Sequence, residues 1–489
     1  MSVSPCKSLL RRHLVHSTTY FGISICFGLA AYASPVVNVI APKTGASSSS
    51  PVSFTANASS PSCGKGIAAM RIYTAPGVNA YTVSGNKIQT SLTLNPGTYN
   101  TVIQAWDNCG GVGKTPVVVT VTGQTASNHF LYVLEGHGIS GWNMNSSTGA
   151  VTSNGQAVMP AHVNPYRAAS DASGTHLYVA NVGSNDVSAY SINRSNGHLT
   201  ASPGSPYNVG RTATAVAVHP SGKFVYVTRD NDAAGDGIAA FSVNANGSLS
   251  AVPGSPFSTQ INPSSLMVDS KGKYLYVADN SYDGYIDAFS INEVNGALTP
   301  LSGSPYLVTS AKGCSGSFPS DIVEDAASGH LYTADSFDNA ISGFAMAANT
   351  GTLTQIPGSA FPDYTCTDPM VAFNPDTITV LPGGKFLYAS NGGAETISTY
   401  AMQSGTGSLN FVSETAKCMG GTASGPIMRS DPAGKFVYST GASGKNCSGG
   451  NAIIGFKVNS NGNLSTIPGL PLVDPNPTGP VSGALVVVP

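Results

Sequence analysis

The residues of this chain best suited by type to do chemistry are six cysteines and a scatter of carboxylates. Cys63, Cys109, Cys314, Cys366, Cys418 and Cys447 follow an N-terminal segment that carries two more, Cys6 and Cys26. Metal-binding thiols come in close pairs, and no C-x-x-C spacing occurs here. An even count in an exported chain points instead to disulfides. The carboxylates gather in short runs: Asp186; Asp230, Asp232 and Asp236; Asp279, Asp283 and Asp287; Asp335 and Asp338. "DNDAAGDG" (Asp230–Gly237) resembles an oxygen-rich calcium loop but lacks the closing bidentate glutamate, so these residues read as partners for turn backbone. No G-x-S-x-G elbow and no H-E-x-x-H occurs. "GGVGKT" (Gly110–Thr115) is an incomplete phosphate loop, with Asn108 where its first glycine belongs. No metal or cofactor is expected.

The N-terminus carries the signs of an export signal. Lys7, Arg11 and Arg12 precede an apolar run, Tyr20–Ala31, too short to cross a bilayer, and "AYA" (Ala31–Ala33) offers small residues for cleavage before Ser34. Ile25 ahead of Cys26 argues against a lipid anchor. The mature protein is expected to be secreted, periplasmic or at the cell surface, monomeric and without a membrane span. Charged residues make up 9% and the net charge is -2. Nucleic acid, which demands basic patches, is not an expected partner.

Two kinds of element must hold these residues. From residue 34 to 122, short apolar runs such as "PVSFTANAS" and "TPVVVTVTG" alternate with Gly, Pro, Asn and Ser, the signature of a β-sandwich. "LNPGTYNTVIQAWDNCG" (Leu94–Gly110) resembles bacterial immunoglobulin-like domains. Cys63 and Cys109 fall in loops at one end of such a sandwich and are expected to pair. Residues 123–128 form a polar linker.

From residue 129 to 489 a unit of roughly fifty residues recurs seven times. It is marked by Tyr132, Tyr178, Tyr226, Tyr276, Tyr332, Tyr388 and Tyr438. Each is followed by an aromatic in a second apolar run and then by an Asn-Gly or Thr-Gly turn. Asn-Gly between apolar runs is a strong hairpin signal, because the turn needs positive φ. Four antiparallel strands per unit, seven times over, predict a seven-bladed β-propeller and an all-β protein. The recurring "PGSP" (Pro203–Pro206, Pro253–Pro256) reads as the end of each outermost strand. The unit of Tyr132 lacks an inner strand, and Pro480–Pro489 is expected to supply it. The Ser-Gly-Lys and Asn-Gly turns then share one face of the disc. The variable loops and blade-to-blade connections, with Cys314, Cys366, Cys418 and Cys447, share the other. Pairs Cys418–Cys447 and Cys314–Cys366 are expected among the three possible pairings.

"HPSGKFVYVTRDND", "DSKGKYLYVADNSYDGYIDAFSI" and "NEVNGALTPLSGSPY" resemble the seven-bladed lactonase family of 6-phosphogluconolactonases and muconate cycloisomerase relatives, and the YVTN-type surface propellers. The resemblance implies an Arg-His pair on an inner strand and an Asn-Glu after the Tyr strand. Those positions hold Thr214–Ala215 and Ser264–Ser265 for the first and Arg229–Asp230 for the second; Tyr166–Arg167 keeps one arginine. Arg167, Arg211, Arg229 and Asp230 are the catalytic candidates, provided they converge on the central channel. Two functions are expected to compete. One is a binding scaffold holding a small molecule, glycan or protein on the variable loop face. The alternative is lactone hydrolysis at the channel.

Overall fold

In the computed structural model of the chain the described residues are 34–48, 52–92, 94, 97–121, 129–136, 138–230, 237–260, 262–309, 316–362, 374–392, 394–416, 427–441, 452–473 and 481–488. They are strand and turn throughout, in two compact units that part between residues 124 and 125.

The first unit holds a three-stranded sheet (Val36–Ala41, Val52–Ser59, Lys87–Leu92) and a five-stranded one (Ala46–Ser48, Val112–Val121, Gly97–Asp107, Ile67–Ala75, Val78–Ser84). Val52–Ser59 buries every second residue, the period of a strand with one face on a core. Phe54, Ala56 and Ile88 of the smaller sheet share that core with Met70, Ile72, Ile103 and Val119 of the larger. Cys63 and Cys109 form a disulfide, with Cα atoms 5.9 Å apart.

The second unit is a ring of seven sheets, each with four strands in its main order and, in six of them, a short fifth segment paired with the third strand. Blade 1 takes three strands from the start of the unit (His129–Glu135, Gly138–Met144, Val151–Ser153). Its innermost strand is Val481–Val488, paired antiparallel to the first, with Val486 opposite Tyr132. Blades 2 to 7 follow, with inner strands Pro165–Ser170, Thr212–Val218, Pro263–Val268, Pro319–Asp325, Pro375–Val380 and Met428–Ser430.

The repeated tyrosine is a clasp between blades. Tyr132, Tyr226, Tyr276, Tyr332, Tyr388 and Tyr438 are fully buried. Their hydroxyls donate to the carbonyls of Gly197, Gly296, Gly351, Gly407, Gly462 and Gly149 at 2.6–3.0 Å. Each acceptor is the turn glycine of the next blade, and the bond from Tyr438 to Gly149 carries the series from blade 7 back to blade 1. Glycine is required there twice over. Gly296 sits at φ 77°, and a Cβ on it would come within 2.5 Å of the Phe224 ring. Tyr178 alone breaks the pattern: its buried hydroxyl has no hydrogen-bond partner among the described residues.

"PGSP" interrupts the outer strand rather than ending it. In blade 2, Leu199–Ala201 and Tyr207–Asn208 both pair with the third strand, and the phrase spans the gap. The unpaired backbone between them is satisfied locally. Ala189 N–H donates to Ser205 Oγ at 2.9 Å, and Ala189 O accepts from Ser202 N–H. Ser255, Ser304 and Ser359 accept in the same way from Ala240, Ala288 and Gly343. The serine is therefore as necessary as the prolines: it answers a buried N–H that the ladder leaves open.

Candidate functional site

The inner strands of blades 2, 4, 5 and 6 begin Asn-Pro or Phe-Pro: "NPYRAAS", "NPSSLMV", "FPSDIVE" and "NPDTITV". In each the pairing register slips between the proline and the second residue after it. Such a bulge bends the strand and re-aims successive side chains. The first residue after the proline stitches neighbouring blades. Thr214, at this position in blade 3, donates to Pro263 O at 2.6 Å, Ser264 to Pro319 O at 2.9 Å and Ser320 to Pro375 O at 3.1 Å.

The second residue after the proline meets its counterparts from other blades. Asp321 of blade 5 is the hub. Its Oδ1 accepts from Arg167 Nη1 at 3.2 Å (blade 2) and from Ser265 Oγ at 2.8 Å (blade 4). Its Oδ2 accepts from Ile378 N–H at 3.2 Å (blade 6) and lies 3.7 Å from Arg429 Nη1 (blade 7). Arg167 also donates through Nη2 to Ser320 O at 3.2 Å. The side chains of Arg167 and Asp321 are 9% and 2% exposed, so this ion pair is sheltered from water and strongly felt.

Beyond this layer, toward the turn face, the inner strands of all seven blades enclose a cavity of about 450 Å³. Its wall is mostly Ala, Val, Leu and Ile, with Glu324 and Arg429 as charged exceptions. Arg429 keeps 32% of its side chain exposed to this space. The protein mass around it lowers its pKa, partly offset by Asp321, and a guanidinium stays cationic regardless. The charged layer therefore lies at the loop-face end of this cavity.

Asp376 stands in blade 6 at the stitch position, where blades 3, 4 and 5 carry Thr or Ser. Burial pushes its carboxyl up to about 6, against the pull of the Arg167 guanidinium and of a hydrogen bond from Gly392 N–H. A Cβ at residue 392 would meet Asp376 Oδ2 at 2.0 Å, so only glycine admits the carboxyl there. The result is a base of near-neutral pKa beside a fixed positive charge.

Of the four candidates read from the sequence, Arg167 joins the hub. Arg229 and Asp230 end the second strand of blade 3, opposite Ala213 and Thr212, and Arg211 directly precedes Thr212. Arg229 Nε donates to Val209 O on the connection entering its own blade. These three thus group at the loop end of one hairpin. Asp321, Arg429 and Asp376 were not among the candidates. Stacking the four Pro-led inner strands would have found two of them, since Asp321 shares a column with Arg167, and Asp376 replaces a hydroxyl. Cys314, Cys366, Cys418, Cys447, Asp232 and Asp236 lie outside the described residues. Cys63, Asp107 and Cys109 come close enough together to suggest a metal site, but the two sulfurs are bonded to each other.

Comparison with known proteins agrees with this architecture. A provisionally assigned 6-phosphogluconolactonase of Bacteroides fragilis superposes with a TM-score of 0.59 at 22% identity, over 75% of this chain and 99% of its own. A similarly assigned protein of Bacteroides uniformis gives 0.56 at 21%, over 74% and 100%. The periplasmic gluconolactonase PpgL of Pseudomonas aeruginosa gives 0.59 at 17%, over 74% and 99%. At such identities the likeness is one of fold. No curated protein sequence matches. The sequence profile described as "Lactonase, 7-bladed beta-propeller" matches residues 139–314 and 315–449, well over half of the chain. The chain belongs to the seven-bladed β-propeller lactonase family.

Proposed function

We propose that the protein hydrolyses a lactone at the loop-face end of its channel. The observation that carries this reading is Asp376, a carboxyl raised to about 6 with Arg167 near enough to act on it. Opening a lactone with water needs a base for the water proton and a positive site for the charge that develops on the carbonyl oxygen. A carboxylate titrating near 6 is a stronger base than an ordinary aspartate, yet it is ionised at neutral pH.

In the proposed step Asp376 takes a proton from water as the water oxygen bonds to the carbonyl carbon. The carbonyl electron pair moves onto its oxygen beside Arg167. As it returns, the ring C–O bond breaks, and the departing alkoxide takes the proton from Asp376. One water and one lactone become one hydroxy acid. The Nε–H of Arg167 is buried without a partner among the described residues, so Arg167 acts on the oxyanion through its positive charge. The loop-face binding expected from the sequence serves here to capture the substrate. Export belongs to the same proposal, and the Cys63–Cys109 disulfide supports it, since such bonds persist outside reducing compartments.

The test is ring opening of glucono-δ-lactone and 6-phosphogluconolactone, measured above the spontaneous rate. Asp376→Asn is expected to lower kcat by at least about a hundredfold, the usual contribution of a general base. Arg229→Ala, at the loop end of the blade 3 hairpin, serves as control and retains activity. The wild-type kcat/KM should rise with pH to a plateau, half-maximal near 6. Wild-type protein that never exceeds the spontaneous rate would end this reading.

A further inference from the structure

Tyr282, Phe318 and Phe337 form an aromatic group on the loop face, at the junction of blades 4 and 5. Tyr282 and Phe318 meet edge to face with centroids 5.9 Å apart, and Phe318 and Phe337 are tilted at 5.3 Å. Tyr282 and Phe337 are 55% and 58% exposed, a large cost in apolar surface left to water. Their loops are fastened to one another: Ser317 N–H donates to Tyr282 O, and Ser336 donates through N–H and Oγ to Phe318 O.

Phe318 carries the argument. It is the residue before the inner-strand proline, a position held by Asn164, Asn262 and Asn374 in blades 2, 4 and 6. All four adopt positive φ, between 47° and 60°. All four use their carbonyls identically, accepting from Val182, Asn280, Ser336 and Gly392 N–H at 2.9–3.2 Å. Asparagine tolerates this conformation, whereas a bulky aromatic is strained in it. The backbone task is therefore met better by asparagine, and the ring of Phe318 is held at a local cost to folding. Strain of this kind collects at binding sites.

We infer that Tyr282, Phe318 and Phe337 are a platform for the C–H face of a neutral, unphosphorylated pyranose ring, a sugar-binding surface next to the proposed hydrolytic site. This rests on the proposed activity for its chemistry but not for its binding. The segments that carry the rings, 279–285, 316–319 and 335–340, hold Asp279, Asp283, Asp335 and Asp338 and no lysine or arginine. Exposed Asp283, beside Tyr282, is an acceptor for sugar hydroxyls and repels phosphate. The rings form an open shelf, where a cation would gain little because water still reaches it. A flat, neutral, hydroxylated ring suits both the shelf and its rim. Phe318 leads through Pro319 and Ser320 directly to Asp321, so the shelf and the charged layer are joined by the start of one inner strand.

Titration of the Asp376→Asn protein with methyl β-glucoside, cellotriose and tetramethylammonium tests the platform without turnover. Saturable binding of the sugars is expected, weakened about tenfold or more in a Tyr282→Ala/Phe337→Ala double variant, where folding is safe because both rings are exposed. Phe318→Asn should bind the sugars more weakly while melting at the same or a higher temperature. Sugar binding that survives the double variant, no sugar binding at all, or preference for tetramethylammonium would each overturn the inference. Sugar binding without hydrolysis by the wild type would sink the activity and leave the platform standing. Hydrolysis with an unchanged KM in the double variant would do the reverse.

Discussion

Two columns of the repeat behave in opposite ways. Along the clasp, tyrosine recurs in all seven blades, and six of the seven make the same bond to the next blade's glycine. Along the inner strands, two residues past the proline, the occupants are Arg167, Ser265, Asp321 and Thr377. The clasp solves one packing problem seven times, so one residue serves throughout. The inner column faces a common axis. Seven like charges there would repel one another, and seven apolar residues would do nothing beyond filling space. Difference between copies marks the place where blades act together on a single centre. The repeat thus supplies an internal comparison that separates scaffold from site.

The sharpest way to break this contrast is to remove the hub. Asp321→Ala leaves Arg167 buried beside Arg429 with no carboxylate between them. Losing one partner of a buried pair costs about 3–5 kcal/mol, with most of it falling on Arg167 because Arg429 remains a third exposed. Chemical denaturation should show it as a lower midpoint. Replacing the pair together, Arg167→Met with Asp321→Leu, should recover much of the loss, because only Arg429, a third exposed, is then left without its carboxylate. A double variant as unstable as Asp321→Ala would show that the ion pair is not the source.

The clasp offers a smaller effect with a change of sign inside it. Tyr276→Phe removes a hydroxyl bonded to Gly351 O at 2.6 Å and should cost about 1 kcal/mol. Tyr178→Phe removes a buried hydroxyl that bonds to nothing among the described residues, so the same change should be neutral or slightly stabilising. Equal losses in both variants would mean that the ring, not the bond, holds the blades.

What the sequence made legible follows the same division. The clasp tyrosines, the Asn-Gly turns and the count of seven blades are local or periodic, so a single pass along the chain finds them. The hub is neither. Arg167 and Asp321 are 154 residues apart and meet only because opposite blades point at one axis. Their approach also depends on bulges that no motif announces. Asp376 escapes a single pass for a different reason: its chemistry comes from burial, and "NPDTITV" stands out only once the four Pro-led strands are aligned. Arg229 stands out in sequence at the end of the tyrosine strand, and in the structure its Nε–H donates to Val209 O. "PGSP" was half read, since its prolines suggested an edge while the task of its serine needed coordinates.

Asp335 gives the subtlest contrast, between blades that share one polar device. At the end of the second strand, Asn181 and Asn391 donate through Nδ2 to Ser188 and Ser398 at 2.9 and 2.8 Å. Blade 5 has aspartate in that place, fully buried, with Ser342 Oγ 2.6 Å and Thr333 Oγ1 2.9 Å away. Burial pushes its carboxyl up to about 8, aided by Asp338, so at neutral pH it is largely protonated and stands in for the asparagine amide. A folded-state pKa above the unfolded value of 3.8 means that the native protein holds the extra proton. The stability this group contributes is complete below about 4 and drains away as pH rises toward 8. Asp335→Asn should therefore change little below about pH 4 and narrow the fall in melting temperature between about pH 4 and pH 8. Asp287 and Asp376, also raised to about 6, titrate in the same sense, so the difference between variant and wild type isolates Asp335. If both proteins lose the same stability across that range, the carboxyl is ionised in the fold, and blade 5 satisfies it in a way its asparagine counterparts do not.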